Sequence, residues 1–371
     1  MKQGLVILIF ISIPGFSQVY SNKEVGKKNV DLMDSLKHSE YPYILPIWGA
    51  KAQKAGFTLP LSAGFSTQYV WQKSEVIIDN LHAAINEGEM TDVSEFARLD
   101  NTITKLSAVN IRPDFWIFPF LNFYGILARS NPSTNTSVGI FLPDSTGTFQ
   151  QVVEFPVHSE NKATSIGFGI TPTIGIGGGW MALDMNFTWT DIPTLESPAF
   201  AFVLGPRFGK SIRFKNNPES NLNMWVGAFR LSLNSGTEGV FKLSDVVDPE
   251  TFGAKVDQGL DALGTRYTEV EEWWNNLSET EQRNPANKAR YEVATRVFDA
   301  AGKLLTGLDE AATHIESSTI KYSMDKRPKD KWNFTVGGQY QINRHWMLRA
   351  EYGFLGTRNQ FIGGLQYRFG L

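Results

Sequence analysis

Seven charged residues lie on the polar side of segments that alternate between apolar and polar residues: Arg112, Asp114, Asp184, Arg207, Arg230, Arg349 and Glu351. If that side faces an enclosed bore, two arrangements compete. A water-filled constriction with an arginine excess favours anionic or zwitterionic solutes. A closed salt-bridge network instead plugs a narrow barrel. Enclosed charges are costly unless they pair or meet water, so either arrangement gives them a role. Acid–base and nucleophilic chemistry find less support. The five histidines, His38, His82, His158, His314 and His345, are scattered along the chain, with no His-Glu-x-x-His pattern and no Ser/His/Asp constellation. The chain has no cysteine, which excludes disulfides, thiol nucleophiles and thiolate metal sites. Gly175 to Gly179 lacks the Lys-Ser/Thr of a phosphate loop and reads as a tight turn. Neither an enzyme nor a cofactor or metal is expected. The distant exception is a lipid-modifying enzyme in which a lumen Ser or Asp approaches His82 or His345.

The segments that position these charges alternate with a period of two, as β-strands with two different faces do. Three of them end the chain. Trp332, Phe334, Val336, Gly338, Tyr340 and Ile342 share one face of the first, and Trp346, Leu348, Ala350, Tyr352 and Phe354 one face of the second. In the third, Phe361, Gly363, Leu365, Tyr367, Phe369 and Leu371 oppose Gly364, Gln366 and Arg368. Tight turns at Asn343-Arg344 and Gly356-Thr357-Arg358-Asn359 join them. Closely linked strands of about ten residues with aromatic ends are what a transmembrane β-barrel needs. Earlier strands are expected at 57–71, 102–117, 121–130, 165–175, 180–190, 200–214 and 222–233. In the last of these, Trp225, Phe229, Leu231 and Leu233 are read as outward, and Ala228, Arg230 and Ser232 as inward. The fold class expected is all-β: an up-and-down antiparallel transmembrane β-barrel of about ten strands, within roughly eight to twelve.

Between Ser235 and Lys329 the period changes. Asp248-Pro249 and Asn284-Pro285 each put a capping residue before a proline at the first helical position. Phe252, Val256, Leu260, Leu263, Tyr267, Val270 and Trp274 then recur at three- and four-residue steps, as do Ala294, Val297, Ala301, Leu304, Leu308, Ala312 and Ile315. This predicts an antiparallel helical hairpin that buries its own seam. Because the C-terminus of such a barrel lies in the periplasm, strand parity places the insert, 235–329, on the extracellular side. Lys2, the apolar run Leu5 to Ile13 and small residues at Gly15 and Ser17 read as a signal peptide, 1–17. Residues 18–56 form a periplasmic lead-in or plug, and 57–234 with 330–371 the barrel. A net charge of -3 gives no hint of nucleic-acid binding, and 13% aromatic residues suit interfacial girdles.

Gly364-Leu365-Gln366-Tyr367-Arg368-Phe369 resembles the C-terminal assembly signal of bacterial outer-membrane barrels, a glycine followed by two aromatics spaced by two. The chain departs from that pattern in adding Gly370-Leu371 and in carrying Ile362 where a polar residue is usual. Arg112-Pro113-Asp114-Phe115-Trp116, leading to Pro119-Phe120-Leu121-Asn122 and Tyr124-Gly125, resembles a stretch of a widespread group of uncharacterised porin-like barrels, and the leader's end resembles those of Bacteroidota. The resemblance covers about Phe57 to Asn234 and Trp332 to Leu371. It implies the outer membrane of a Gram-negative bacterium, contact with outer-membrane lipid, and delivery by the barrel-assembly machinery through Gly364, Tyr367 and Phe369. It implies no established substrate. The function expected is passive or weakly selective passage of small solutes. The alternative is a closed barrel that anchors the hairpin for an extracellular partner. A hydrophobic-substrate transporter, with Tyr41 to Trp48 as a hatch, is more distant.

Overall fold

The computed structural model describes residues 25–193, 195–233 and 236–371, so the expected signal peptide lies outside the described residues. Two helices come first, α1 (Lys27–His38) and α2 (Gly49–Lys54). Nine strands follow: β1 (Ala63–Ile85), β2 (Thr91–Asp92), β3 (Ala97–Phe118), β4 (Leu121–Pro143), β5 (Phe149–Glu160), β6 (Ala163–Ile176), β7 (Gly179–Asp191), β8 (Ala199–Arg213) and β9 (Asn221–Leu233). The insert holds β10 (Gly236–Lys242), α3 (Pro249–Asn275), α4 (Glu279–Gln282), α5 (Pro285–Thr313) and β11 (Thr319–Pro328). The chain ends with β12 (Trp332–Gln341), β13 (Trp346–Phe354) and β14 (Arg358–Phe369).

Ten strands form a closed antiparallel ring in the order β1-β3-β4-β6-β7-β8-β9-β12-β13-β14. Closure is made by β1, which pairs β14 from Ala63↔Phe369 to Ser74↔Arg358 and β3 from Ala63↔Phe115 to Glu75↔Ile103. A closed ring leaves no unpaired backbone edge, the condition hydrocarbon imposes on strands. β1 and β4, at 23 residues each, are about twice as long as one membrane crossing requires. Their far halves leave the ring and pair with β11 and β5, so a rim of extended sheet stands above one mouth.

The period-two pattern sorts side chains as the solvent demands. Val226 and Ile166, each 61% exposed, share the exterior with Phe334, Leu348 and Leu365. In water this continuous apolar surface would be a liability, whereas in lipid it is the required face. At one mouth the turns are short. Gly177 and Gly178, at φ 57 and 81, make the two-residue turn between β6 and β7, a conformation that favours glycine at both positions. Asn343 accepts the backbone N–H groups of His345 and Trp346, both at 2.9 Å, and so fixes the turn between β12 and β13.

The helical hairpin forms where its caps predict. Asp248 Oδ1 accepts the Glu250 N–H and Asn284 Oδ1 that of Ala286, each one residue before a proline. The hairpin does more than bury its own seam. Val256, Val297, Phe298, Ala301 and Leu305 share one core with Val93, Phe96, Ile140, Leu142, Val153 and Phe155 of the sheet rim. The hairpin therefore roofs the rim mouth. At the opposite mouth α1, α2 and the chain after them dock on the turns. The Ile44 N–H reaches the Leu371 carbonyl at 2.8 Å, and Arg213 Nη1 reaches Asn29 Oδ1 at 3.1 Å.

Several details differ from the sequence expectation: β3 and β4 run on into the rim, to Ala97 and Pro143, and three further points concern β1, β14 and β9. β1 begins at Ala63, not Phe57, because residues 57–62 run beneath the barrel to join α2. Arg358 and Asn359 belong to β14 rather than to a turn, which tightens instead at Leu355 and Gly356 with φ 78 and 68. The faces of β9 are inverted. Asn221, Asn223 and Trp225 are buried inside, while Met224 and Val226 are exposed. Arg230 has their parity and pairs in register with exterior Trp332, so it faces outward.

Candidate functional site

At mid-height the bore is crossed by paired charges. The Arg207 guanidinium of β8 holds two carboxylates, contacting Asp184 Oδ2 through Nη1 and Glu351 Oε2 through Nε at 3.2 Å. Glu351 also accepts Arg349 Nη2 at 3.1 Å and the Trp225 indole N–H at 2.9 Å. Arg207 and Glu351 stand on strands separated by β9 and β12, so their contact spans a chord of the barrel. The guanidiniums of Arg207 and Arg349 lie 5.7 and 5.0 Å from the Trp225 ring, which supports both cations by cation–π attraction.

A second group meets the first from the other wall. Asp114 of β3 accepts Arg368 Nη1 of β14 at 3.0 Å, Gln366 Nε2 at 2.9 Å and Asn122 Nδ2 at 3.0 Å. Arg112 lies 3.9 Å over the Tyr124 ring, and the Tyr124 hydroxyl donates to Asn186 Oδ1 at 2.7 Å. The Thr171 hydroxyl donates to Asp184 and joins this wall to Arg207. Glycines make room for the large rings. A Cβ on Gly169 would strike Tyr124, and one on Gly337 would strike Trp225. The space left among these side chains is about 160 Å³, enough for several waters.

Of the seven charges expected in the lumen, six lie in this waist: Arg112, Asp114, Asp184, Arg207, Arg349 and Glu351. Arg230 does not. Sequence reasoning missed Arg368 as a partner of Asp114, although alternation in β14 had already put it on the polar face with Gly364 and Gln366. It also read Trp225 as lipid-facing because it is a large apolar ring. The signal against that was the pair Asn221 and Asn223, four and two residues before it on the same face. His82 and His345, raised for a lipid-modifying enzyme, do not line the waist. His82 Nδ1 contacts the Asn80 carbonyl and His345 Nδ1 that of Arg368, both backbone groups.

A closed antiparallel barrel with an apolar exterior and charges inside defines a transmembrane β-barrel of the outer-membrane class. No protein-family model matches the sequence, and no curated protein matches it. Among solved structures the chain is similar to the β domain of the Bordetella autotransporter BrkA, with 9% identity and a TM-score of 0.33 over 83% of this chain and 100% of that one. It is also similar to a Pseudomonas aeruginosa FadL homologue, with 8% identity and a TM-score of 0.26 over 96% and 100%. An outer membrane channel from Pseudomonas putida F1 gives 8% and 0.25 over 84% and 96%. Overlap at this level carries no functional inference.

Proposed function

We propose that the protein is an outer-membrane barrel of a Gram-negative envelope that passes small solutes only when its waist loosens. The observation that supports this is the pairing at the waist: Asp114, Asp184 and Glu351 each hold an arginine, and the Arg207–Glu351 contact runs across the bore. Pairing satisfies the charges that lipid surroundings make costly, and it occupies the path a solute would take. On this reading the C-terminus is periplasmic, the α3–α5 roof lies on the extracellular side, and Gly364, Tyr367 and Phe369 are the residues offered to the assembly machinery. The hairpin spends its apolar stripe on the sheet rim, which favours a roof over a free binding arm. Planar-bilayer recording of the refolded full chain tests the proposal. The wild type should be silent or open briefly, and Glu351→Ala or Arg207→Ala should give discrete, longer openings. A wide, constantly open wild-type pore, or variants that stay silent while folded, would overturn it.

A further inference from the structure

Above the waist the bore widens into a second chamber of about 490 Å³. Its wall is the inner face of β1, β3, β4 and β11, with Val76, Ile78, Val138 and Met324 among the lining side chains, and Leu304 and Leu308 of α5 reach it from the roof. The volume falls in the roughly 300–1,000 Å³ that small-molecule sites occupy. Two cations interrupt this apolar lining, Arg358 on the floor and Lys326 on the wall.

Arg358 is 2% exposed, and its Nε and Nη1 have no hydrogen-bond partner. Its guanidinium lies 5.5 Å from the Phe229 ring. Asp330, the carboxylate that acts on it electrostatically, is engaged elsewhere, accepting the Thr357 N–H at 2.7 Å and the Thr357 hydroxyl at 2.9 Å. Lys326 makes no ion pair among the described residues, and its Nζ lies 5.8 Å from the Tyr322 ring. β11 carries it above the barrel ring, where burial pulls its pKa below the ordinary lysine value. A buried guanidinium with free donors is expensive in an apolar site, and an anion supplies the missing acceptors.

We propose that the chamber binds an acyl-chain carboxylate, its tail against the apolar wall and roof and its carboxylate on Arg358 with Lys326 beside it. The assignment holds whether or not the waist opens. It is tested by calorimetric titration of the full chain in lipid nanodiscs, with empty nanodiscs subtracted, using dodecanoate, dodecanol and a series of shorter carboxylates. Dodecanoate should saturate at one site and bind at least tenfold more tightly than dodecanol. Each methylene removed should weaken binding by about threefold to fourfold. Arg358→Met should erase the preference for the carboxylate while dodecanol binding persists, and Ala83→Phe, which fills the chamber wall, should weaken both ligands. Equal affinity for dodecanoate and dodecanol in the wild type would overturn the assignment without any variant. So would non-saturating uptake, or unchanged dodecanoate binding in folded Arg358→Met. Bilayer silence of the wild type bears on the waist alone and leaves this result untouched.

Discussion

Replacing Arg207 by methionine tests whether the waist is a paired unit or a set of independent surface charges. The wild-type waist holds four guanidiniums, Arg112, Arg207, Arg349 and Arg368, against three carboxylates, Asp114, Asp184 and Glu351. Removing Arg207 lowers the formal charge there from +1 to 0, but the cost falls unevenly. Glu351 keeps Arg349 and the Trp225 indole, whereas Asp184 keeps the Thr171 hydroxyl as its one hydrogen-bond partner, with Arg349 and Arg112 acting on it only through space. Stranding one partner of a buried pair costs roughly 3–5 kcal/mol, and the waters the cavity admits favour the lower end, about 3 kcal/mol. Asp184→Asn alone leaves Arg207 on Glu351 and should cost about 2 kcal/mol. In Arg207→Met/Asp184→Asn no charge is stranded, so the double variant should lose about 2 kcal/mol, some 3 kcal/mol less than the sum. Urea unfolding in lipid vesicles, followed by tryptophan fluorescence, reads all three values. A single-variant cost under about 1 kcal/mol with simple additivity would show that the pair is solvated and would refute a closed waist.

Two further outcomes follow from local geometry. Gly337→Ala places a methyl against the Trp225 indole, so the barrel should lose about 1–3 kcal/mol by overpacking and recover part of it with Trp225→Phe. Equal loss in the presence and absence of Trp225→Phe, measured by the same urea unfolding, would show that the contact is not the cause. In the hairpin, Tyr291 donates to Glu271 at 2.6 Å, and this bond, with lesser burial, pushes its phenol up to about 12. A folded pKa above the unfolded value means stability is intact below about pH 10, where an unfolded tyrosine keeps its proton, and is lost as pH rises toward 12. Circular dichroism of the helices against pH should therefore show a decline in that window that Tyr291→Phe lacks; an identical decline in the variant would remove Tyr291 as its source.

Whatever depends on neighbours along the chain is legible without the fold. Alternation in β12, β13 and β14 makes two-faced strands, the caps at Asp248 and Asn284 start helices, and glycines or Asn343 make turns, because each of these is a local choice of φ and ψ. Six of the seven charges read as inward are so in the structure, since a strand's parity carries a residue to the bore without further information. Tertiary structure decided everything that depends on which strand stands opposite which. Arg207 finds Glu351 only because ring closure puts β8 and β13 a chord apart, and Arg368 finds Asp114 only because β1 joins the two ends of the chain. Trp225, inward by the parity of β9, fits there because Gly337, distant in sequence, vacates the space beside its ring. Arg358, which local residues suggest for a turn, becomes a buried cation without an acceptor once β14 pairs with β1 from Ser74 onward. Parity along one strand names the face of a residue, but only the closed ring supplies the partner it meets there.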